Sequence, residues 1–199
     1  QRRRERIGKA IGVAETDARE LGAIFAKREM SDEDAQALAK AYKGRAILFK
    51  KAKIKKVGDA GDASGKVTVT FVVENPYGPS YRPIEVQGTV GKESGALLGE
   101  GQVVSALGVV DGSAAASSVS LADVAVSDGD TKALEESLGA EMSDEELDSM
   151  AEEKGGSVGR RFAKAQGLTF PDLAALAAEA RKRAEEAEKK VEKKTDNMI

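Results

Sequence analysis

Basic side chains are concentrated in one short stretch of the sequence. Positions 43–57 hold seven basic residues and no acidic one. Six of them fall in a run with strand chemistry, namely Arg45, Lys50, Lys51, Lys53, Lys55 and Lys56. Lysine and arginine at this density can neutralise phosphates or the carboxylates of an acidic partner. These six residues are therefore the sharpest candidate for a binding site.

The composition argues against most enzymatic chemistry. The chain of 199 residues has no His, Cys or Trp, and aromatic residues make up only 4% of it. Imidazole and thiol groups, the commonest metal ligands and acid–base groups near neutral pH, are therefore missing. We expect a non-enzymatic protein with no catalytic residues, no metal site and no cofactor.

The basic stretch opens a region of β-strand character. Runs typical of strands occupy 45–57, 66–74, 81–90, 101–110 and 118–126, and Gly, Asp, Pro and Ser clusters separate them. In the first run, Ile47 and Phe49 share one parity, whereas Ala52 and Ile54 share the other. This slip in the alternation predicts a β-bulge near Lys50.

Helical segments are expected before the strands. The first covers 1–29, with a break near Gly12 and a firm helix only from about Glu15, because a helical glycine costs about 1 kcal/mol relative to alanine. Ser31 is placed to cap a second helix, which ends at Gly44.

Further helices are expected after the strands. One short helix covers 130–138, and Ser143 with Glu146 forms a capping box for another that continues to about 154. The longest helix covers about 170–194. It carries small apolar residues at alternating spacings of four and three, which is a heptad seam: Leu173, Ala177, Ala180, Ala184, Ala187 and Val191. An alanine seam buries little area, so it predicts one closely packed partner helix.

Three segments of the strand region carry a family resemblance. AYKGR at 41–45, GQVVSALGVVDG at 101–112 and VSLADVAV at 119–126 resemble the small bacterial OB-fold domains called tRNA-anticodon-binding-like. The resemblance implies a five-stranded OB barrel with the short segment 92–99 between its third and fourth strands. It implies no particular activity, because the family name records a structural likeness.

Together these features predict an α+β protein. A central five-stranded OB-like β-barrel would occupy 44–127, with N-terminal helices over 1–43 and a helical C-terminal arm over 128–199. OB barrels commonly bind nucleic acid near the first strand, with basic residues on phosphates and aromatic residues on bases.

Two interpretations of the basic strand compete. Stacking groups are few, because Phe49 and Phe71 have the alternation of core residues and only Tyr77 and Tyr81 lie on a loop. The lysines could instead solvate an exposed strand and discourage pairing at its edge.

Charge is segregated along the chain. Arg2, Arg3, Arg4 and Arg6 form a basic terminus, whereas 111–153 contains thirteen acidic residues and one lysine. Opposed blocks of this kind suit head-to-tail contacts between copies. For the arginines we expect a frayed, solvated terminus; the alternatives are contact with nucleic acid, with the acidic segment of a neighbouring copy, or a position beside a membrane anchor.

The leading functional hypothesis is a structural interaction module of a multi-subunit assembly, such as a virion or another particle. It would oligomerise through the C-terminal helical arm and the opposed charges. The alternative is a single-stranded nucleic-acid-binding OB protein that uses the lysine-rich first strand. No apolar run approaches the roughly 18 residues of a membrane span, so we expect a cytoplasmic protein or one within an assembled particle. Because the sequence begins at Gln1, a third hypothesis is an extracytoplasmic domain tethered by an upstream anchor.

Overall fold

The computed structural model describes residues 1–25, 31–58, 65–73, 83–115, 118–128, 131–152, 158, 161–162 and 173–198. The helices are α1 (Arg2–Phe25), α2 (Asp32–Tyr42), α3 (Lys92–Gly95), α4 (Lys132–Glu141), α5 (Asp144–Met150) and α6 (Leu173–Asp196). The strands are β1 (Ala46–Val57), β2 (Lys66–Val73), β3 (Ile84–Gly91), β4 (Val103–Ala115) and β5 (Ser118–Asp128). The predicted class is confirmed: the protein is α+β, with a central barrel between N-terminal helices and a C-terminal helix.

The five strands close into one barrel in the order β1-β2-β3-β5-β4. Neighbouring strands are antiparallel except β3 and β5, which pair in parallel. The short helix α3 lies between β3 and β4, and its Gly95 is buried against the inward-facing side chains of Val67 and Val90. This closed five-stranded arrangement is consistent with an OB-like fold.

The predicted bulge near Lys50 is present in β1. The pairing with β4 slips by one residue, so that Lys50 and Lys51 both lie opposite Ser105. Ser105 is buried, and its Oγ donates a hydrogen bond to the carbonyl oxygen of Lys50 at 3.2 Å. Inward-facing positions are therefore odd-numbered before the bulge, as at Ile47, and even-numbered after it, as at Ile54.

A second irregularity in β1 lies on its β2 side. Ile54 pairs with Phe71, but the next pair joins Lys56 to Thr70, which leaves Lys55 as an extra residue. Lys55 and Lys56 are both exposed as a result. This second bulge was not predicted from the sequence.

The barrel interior is narrow where β3, β4 and β5 meet, and two glycines make room for Val124. A Cβ added at Gly88 would lie 2.4 Å from Val124 Cγ2, and one added at Gly108 would lie 3.0 Å from the same atom. Val124 belongs to a bulge in β5 in which Asp123 adopts a left-handed conformation with φ of 52°. Small residues at 88 and 108 are thus a packing requirement of this barrel.

Helix α1 is continuous, so the predicted break near Gly12 is wrong. The helix lies along the outside of the barrel, where Ile11 packs with Leu48 of β1 and Leu107 of β4. A Cβ atom added at Gly12 would meet no other atom within 4 Å. Burial of the apolar side of α1 outweighs the roughly 1 kcal/mol that each glycine costs in an isolated helix.

Both predicted helix caps are present. Ser31 Oγ accepts a hydrogen bond from the backbone N–H of Asp34 at 3.2 Å. Ser143 Oγ accepts from the N–H of Glu146 at 3.2 Å, and the Glu146 side chain accepts in return from the N–H of Ser143 at 2.7 Å. Helix α5 nevertheless ends at Met150 rather than near 154.

Boundaries elsewhere differ modestly from those expected. Strand β4 continues to Ala115 instead of ending at 110, and Gly112 within it has φ of +90°. The division of the chain at 43 and 127 stays a prediction. Among the helices of the described ranges, none combines the length and the hydropathy that a bilayer span requires.

We predict that Gly88→Ala lowers the free energy of unfolding by about 1–3 kcal/mol, because the new methyl group overpacks against Val124. Urea unfolding monitored by circular dichroism measures this. Gly91→Ala is the matched control in the same strand, since its Cβ would meet no atom within 4 Å. Adding Val124→Ala to the Gly88 variant should recover part of the loss; equal effects of the two glycine substitutions would contradict the packing explanation.

Candidate functional site

The two bulges of β1 bring all of its lysines to the outside of the barrel. A regular strand would distribute residues 50–56 between both faces, because successive side chains alternate. Each bulge instead exposes two consecutive residues, Lys50 with Lys51 and Lys55 with Lys56, and Lys53 is exposed between them. We call the surface formed by these five side chains the lysine face.

Two of the five charges are compensated within the chain. Lys50 Nζ lies 3.2 Å from Glu15 Oε2 of α1, and Lys55 forms an ion pair with Glu85 of β3. In the part of the chain that the structure describes, no acidic side chain pairs with Lys51, Lys53 or Lys56. Within the described ranges, Lys51, Lys53 and Lys56 therefore carry positive charge that no acidic side chain compensates.

Arg45 does not belong to the lysine face, although the sequence grouped it there. Its Nη2 lies 2.6 Å from Asp17 Oδ2, and its Nε donates to the same oxygen at 2.7 Å. Its Nη1 also donates to the backbone carbonyl of Glu152 at 3.2 Å. The side chains are only 18% exposed for Arg45 and 9% for Asp17. Arg45 therefore fastens α1 and the end of α5 to the start of β1.

The described residues that flank the lysine face include valines and no aromatic side chain. Lys53 pairs with Val103 of β4 on one side and with Val72 of β2 on the other. Val103 is 53% exposed, which is high for a large apolar residue. Phe49 and Phe71 are buried in the barrel core, as expected. Tyr77 and Tyr81 lie outside the described residues.

The N-terminal arginines contact the acidic segment of their own chain, so the expectation of a frayed, solvated terminus is wrong for two of them. Arg3 and Arg6 both pair with Asp144 of α5, at 2.5 and 2.9 Å, and Arg6 Nε lies 3.2 Å from Asp148. Arg3 also donates to the carbonyl of Gly139 near the end of α4 at 2.8 Å. Cations are favoured at such a helix C-terminus.

The predicted partner seam lies on α6, whose observed bounds agree with the expected helix to within a few residues. Ala184, Ala187 and Val191 are exposed, and Val191 is 64% exposed. The side chains of Leu173, Ala177 and Ala180 lie outside the described residues. The described half of the seam thus faces solvent.

Within the described ranges, no group of three or more acidic side chains converges as the ligands of a metal ion would. The expectation of a non-enzymatic protein stays a prediction.

No family model matches the sequence, and no curated protein is significantly similar to it.

We predict that Arg45 contributes to the stability of the fold, whereas Lys51, Lys53 and Lys56 contribute little to it. Arg45→Gln should lower the free energy of unfolding by about 2–3 kcal/mol, because it removes the ion pair between Arg45 and the largely buried Asp17 carboxylate. The triple substitution Lys51→Gln, Lys53→Gln and Lys56→Gln should change it by less than about 0.5 kcal/mol, since these side chains are exposed. Urea unfolding of both variants measures this, and similar losses in both would contradict the assignment.

Proposed function

We propose that this protein is a non-enzymatic interaction module that works as one part of a multi-subunit assembly and associates through α6. The observation that supports this most strongly is the exposure of an apolar seam on a long helix. Every described side chain from Ala184 to Met198 is exposed, Val191 among them.

In the described part of α6, the apolar side chains at 184, 187 and 191 are exposed rather than packed. Isolated helices are marginal in water, and most helical stability in proteins comes from packing of an apolar side. The alanines at 184 and 187 allow a second helix to approach closely, while Val191 adds one larger contact. The small area implies a moderate affinity, so α6 would act together with other contacts of the assembly.

We also propose that the barrel is of the tRNA-anticodon-binding-like OB type. Its strand order, the parallel pairing of β3 with β5 and the glycines of 101–112 support this finer assignment. In this proposal the barrel is the structural support that carries α6 and the lysine face. Such a component would suit a virion or another particle. The protein would then lie in the cytoplasm or within the assembled particle.

A second candidate function is single-stranded nucleic-acid binding through the lysine face. The supporting observation is that two bulges place five lysines on one surface, three of them without an acidic partner in the described ranges. Phosphate neutralisation requires no more than this, but affinity for bases also needs stacking groups. The described part of the face supplies none, so this candidate ranks second.

For the leading function, we predict that Ala184→Gln, Ala187→Gln and Val191→Gln together abolish self-association or partner binding, measured by sedimentation velocity at about 300 mM salt, where contacts between exposed charges are screened. Gln is longer and more polar than the residues it replaces, so it prevents close helix approach without altering the net charge. The control is Glu185→Gln with Lys189→Gln, which conserves net charge and lies off the seam. A chain that is monomeric at high concentration, and whose partners bind equally with and without the seam, would refute the proposal.

For the second candidate, we predict salt-dependent binding of a fluorescent oligothymidine of about 20 nucleotides. If all five lysines contact phosphates, the logarithm of the binding constant should fall against log salt with a slope of about −3.5. The variant Lys51→Gln, Lys53→Gln and Lys56→Gln should reduce the slope to about −1.4. Fluorescence anisotropy measures both, and absence of binding at low salt would eliminate this candidate.

A further inference from the structure

Several acidic side chains of the segment 111–153 are already used within the fold. Within the acidic segment, Asp144 and Asp148 are held by Arg3 and Arg6, and Asp123 pairs with Lys66 at 2.9 Å. Others are used locally: Asp111 accepts hydrogen bonds from Ser113 and Ser120, and Glu146 closes the capping box.

Three glutamates on the last two helices before residue 152 remain exposed. Glu136 and Glu141 lie on α4 and Glu145 lies on α5, and within the described ranges none of them forms an ion pair or a hydrogen bond through its side chain. We call them the helix glutamates.

We propose that the lysine face binds the helix glutamates of a second copy of this chain, in a head-to-tail contact. This inference rests on the proposed assembly function and names the partner of the lysine face. The charges of Lys51, Lys53 and Lys56 are opposite to those of the helix glutamates, and none of these six side chains forms an ion pair in the described part of its own chain. Opposite potentials of this kind steer association and fix its register.

The make-up of the lysine face favours a protein partner over nucleic acid. Its central lysine, Lys53, lies between Val72 and Val103, and Val103 is 53% exposed. Apolar side chains framed by charged ones are typical of a protein interface. A surface that stacks bases would present aromatic rings, and the described residues of this face include none.

The contact is heterologous, because the lysines lie on β1 whereas the glutamates lie on α4 and α5. A head-to-tail contact leaves one lysine face and one set of helix glutamates unused at the ends, so it propagates into a ring or a filament. Exposed ion pairs are individually weak and are screened by salt. The contact should therefore be observed at low ionic strength, and in the assembly it would act together with α6.

The test uses charge reversal in a chain that carries Ala184→Gln, Ala187→Gln and Val191→Gln, so that α6 does not contribute. One variant has Lys51→Glu, Lys53→Glu and Lys56→Glu; the other has Glu136→Lys, Glu141→Lys and Glu145→Lys. Sedimentation velocity is measured for each variant, for their equimolar mixture and for the unreversed chain, at about 20 mM and about 300 mM salt.

We expect the unreversed chain to associate at about 20 mM salt and to dissociate at about 300 mM. Each reversed variant alone should be monomeric at both concentrations, whereas the mixture should associate at low salt, because the two variants are complementary to each other. A mixture that stays monomeric overturns the inference. So does binding of an oligothymidine of about 20 nucleotides that depends on the lysines while the unreversed chain stays monomeric, since nucleic acid would then be the ligand.

The outcomes also separate this inference from the proposed function. Loss of association in the α6 variant, together with no charge-dependent association, retains the assembly function and rejects the lysine face as a contact between copies. Charge-dependent association with no effect of the α6 substitutions supports the lysine-face contact and rejects α6 as the assembly helix.

Discussion

Strand β1 must pair with two different neighbours along its length, and the rest of the structure depends on how it does so. It pairs with β4 from Ala46 to Lys53 and with β2 from Lys53 to Val57. A strand that closes a small barrel has to bend and twist between two such partners, and bulges provide that bend. Because each bulge also exposes two consecutive lysines, the same constraint that closes the barrel produces the lysine face.

The helices cover only part of the barrel surface. Helix α1 packs over Leu48 and Leu107, and α4 joins it there through Leu134. The cations on this side are used to hold the helices in place, with Arg45 bound to Asp17 and Arg3 bound to α5. Within the lysine face, Lys50 also pairs with Glu15 of α1 and Lys55 pairs with Glu85, but in the described ranges no ion pair holds Lys51, Lys53 or Lys56. Arg3 and Arg45 therefore stabilise the packing of the helices, whereas the lysines without an acidic partner are available to a ligand.

Local patterns in the sequence predicted much of the fold. Runs of strand-type residues separated by turn residues identified all five strands. The first bulge was also predictable, because the change of parity around Lys50 can be read directly from the apolar positions. Caps were predictable at Ser31 and Ser143, since capping depends on residues within one turn. The break near Gly12 was a wrong prediction because the packing of α1 on the barrel is a tertiary effect, which helix propensity does not contain.

The candidate site was predictable in composition but not in geometry. The sequence pointed to the basic strand, yet it could not separate Arg45 from the lysines, because the partner Asp17 is distant in sequence and meets it only through packing. The second bulge had a signal that was not used: consecutive lysines at 55 and 56 repeat the pattern at 50 and 51. Likewise, nothing local indicates that Arg3 and Arg6 reach Asp144 in the same chain.

Zero-length cross-linking between isotopically distinct copies tests the central claim most directly. A carbodiimide forms an amide bond between a lysine amine and a carboxylate that are in direct contact. When light and heavy copies are mixed at low salt, cross-linked peptides of mixed isotope show which residues meet between chains. The account predicts mixed-isotope peptides that join Lys51, Lys53 or Lys56 to Glu136, Glu141 or Glu145, and their loss at high salt. Cross-links from these lysines that are confined to single copies, or mixed pairs that avoid the helix glutamates, would contradict it.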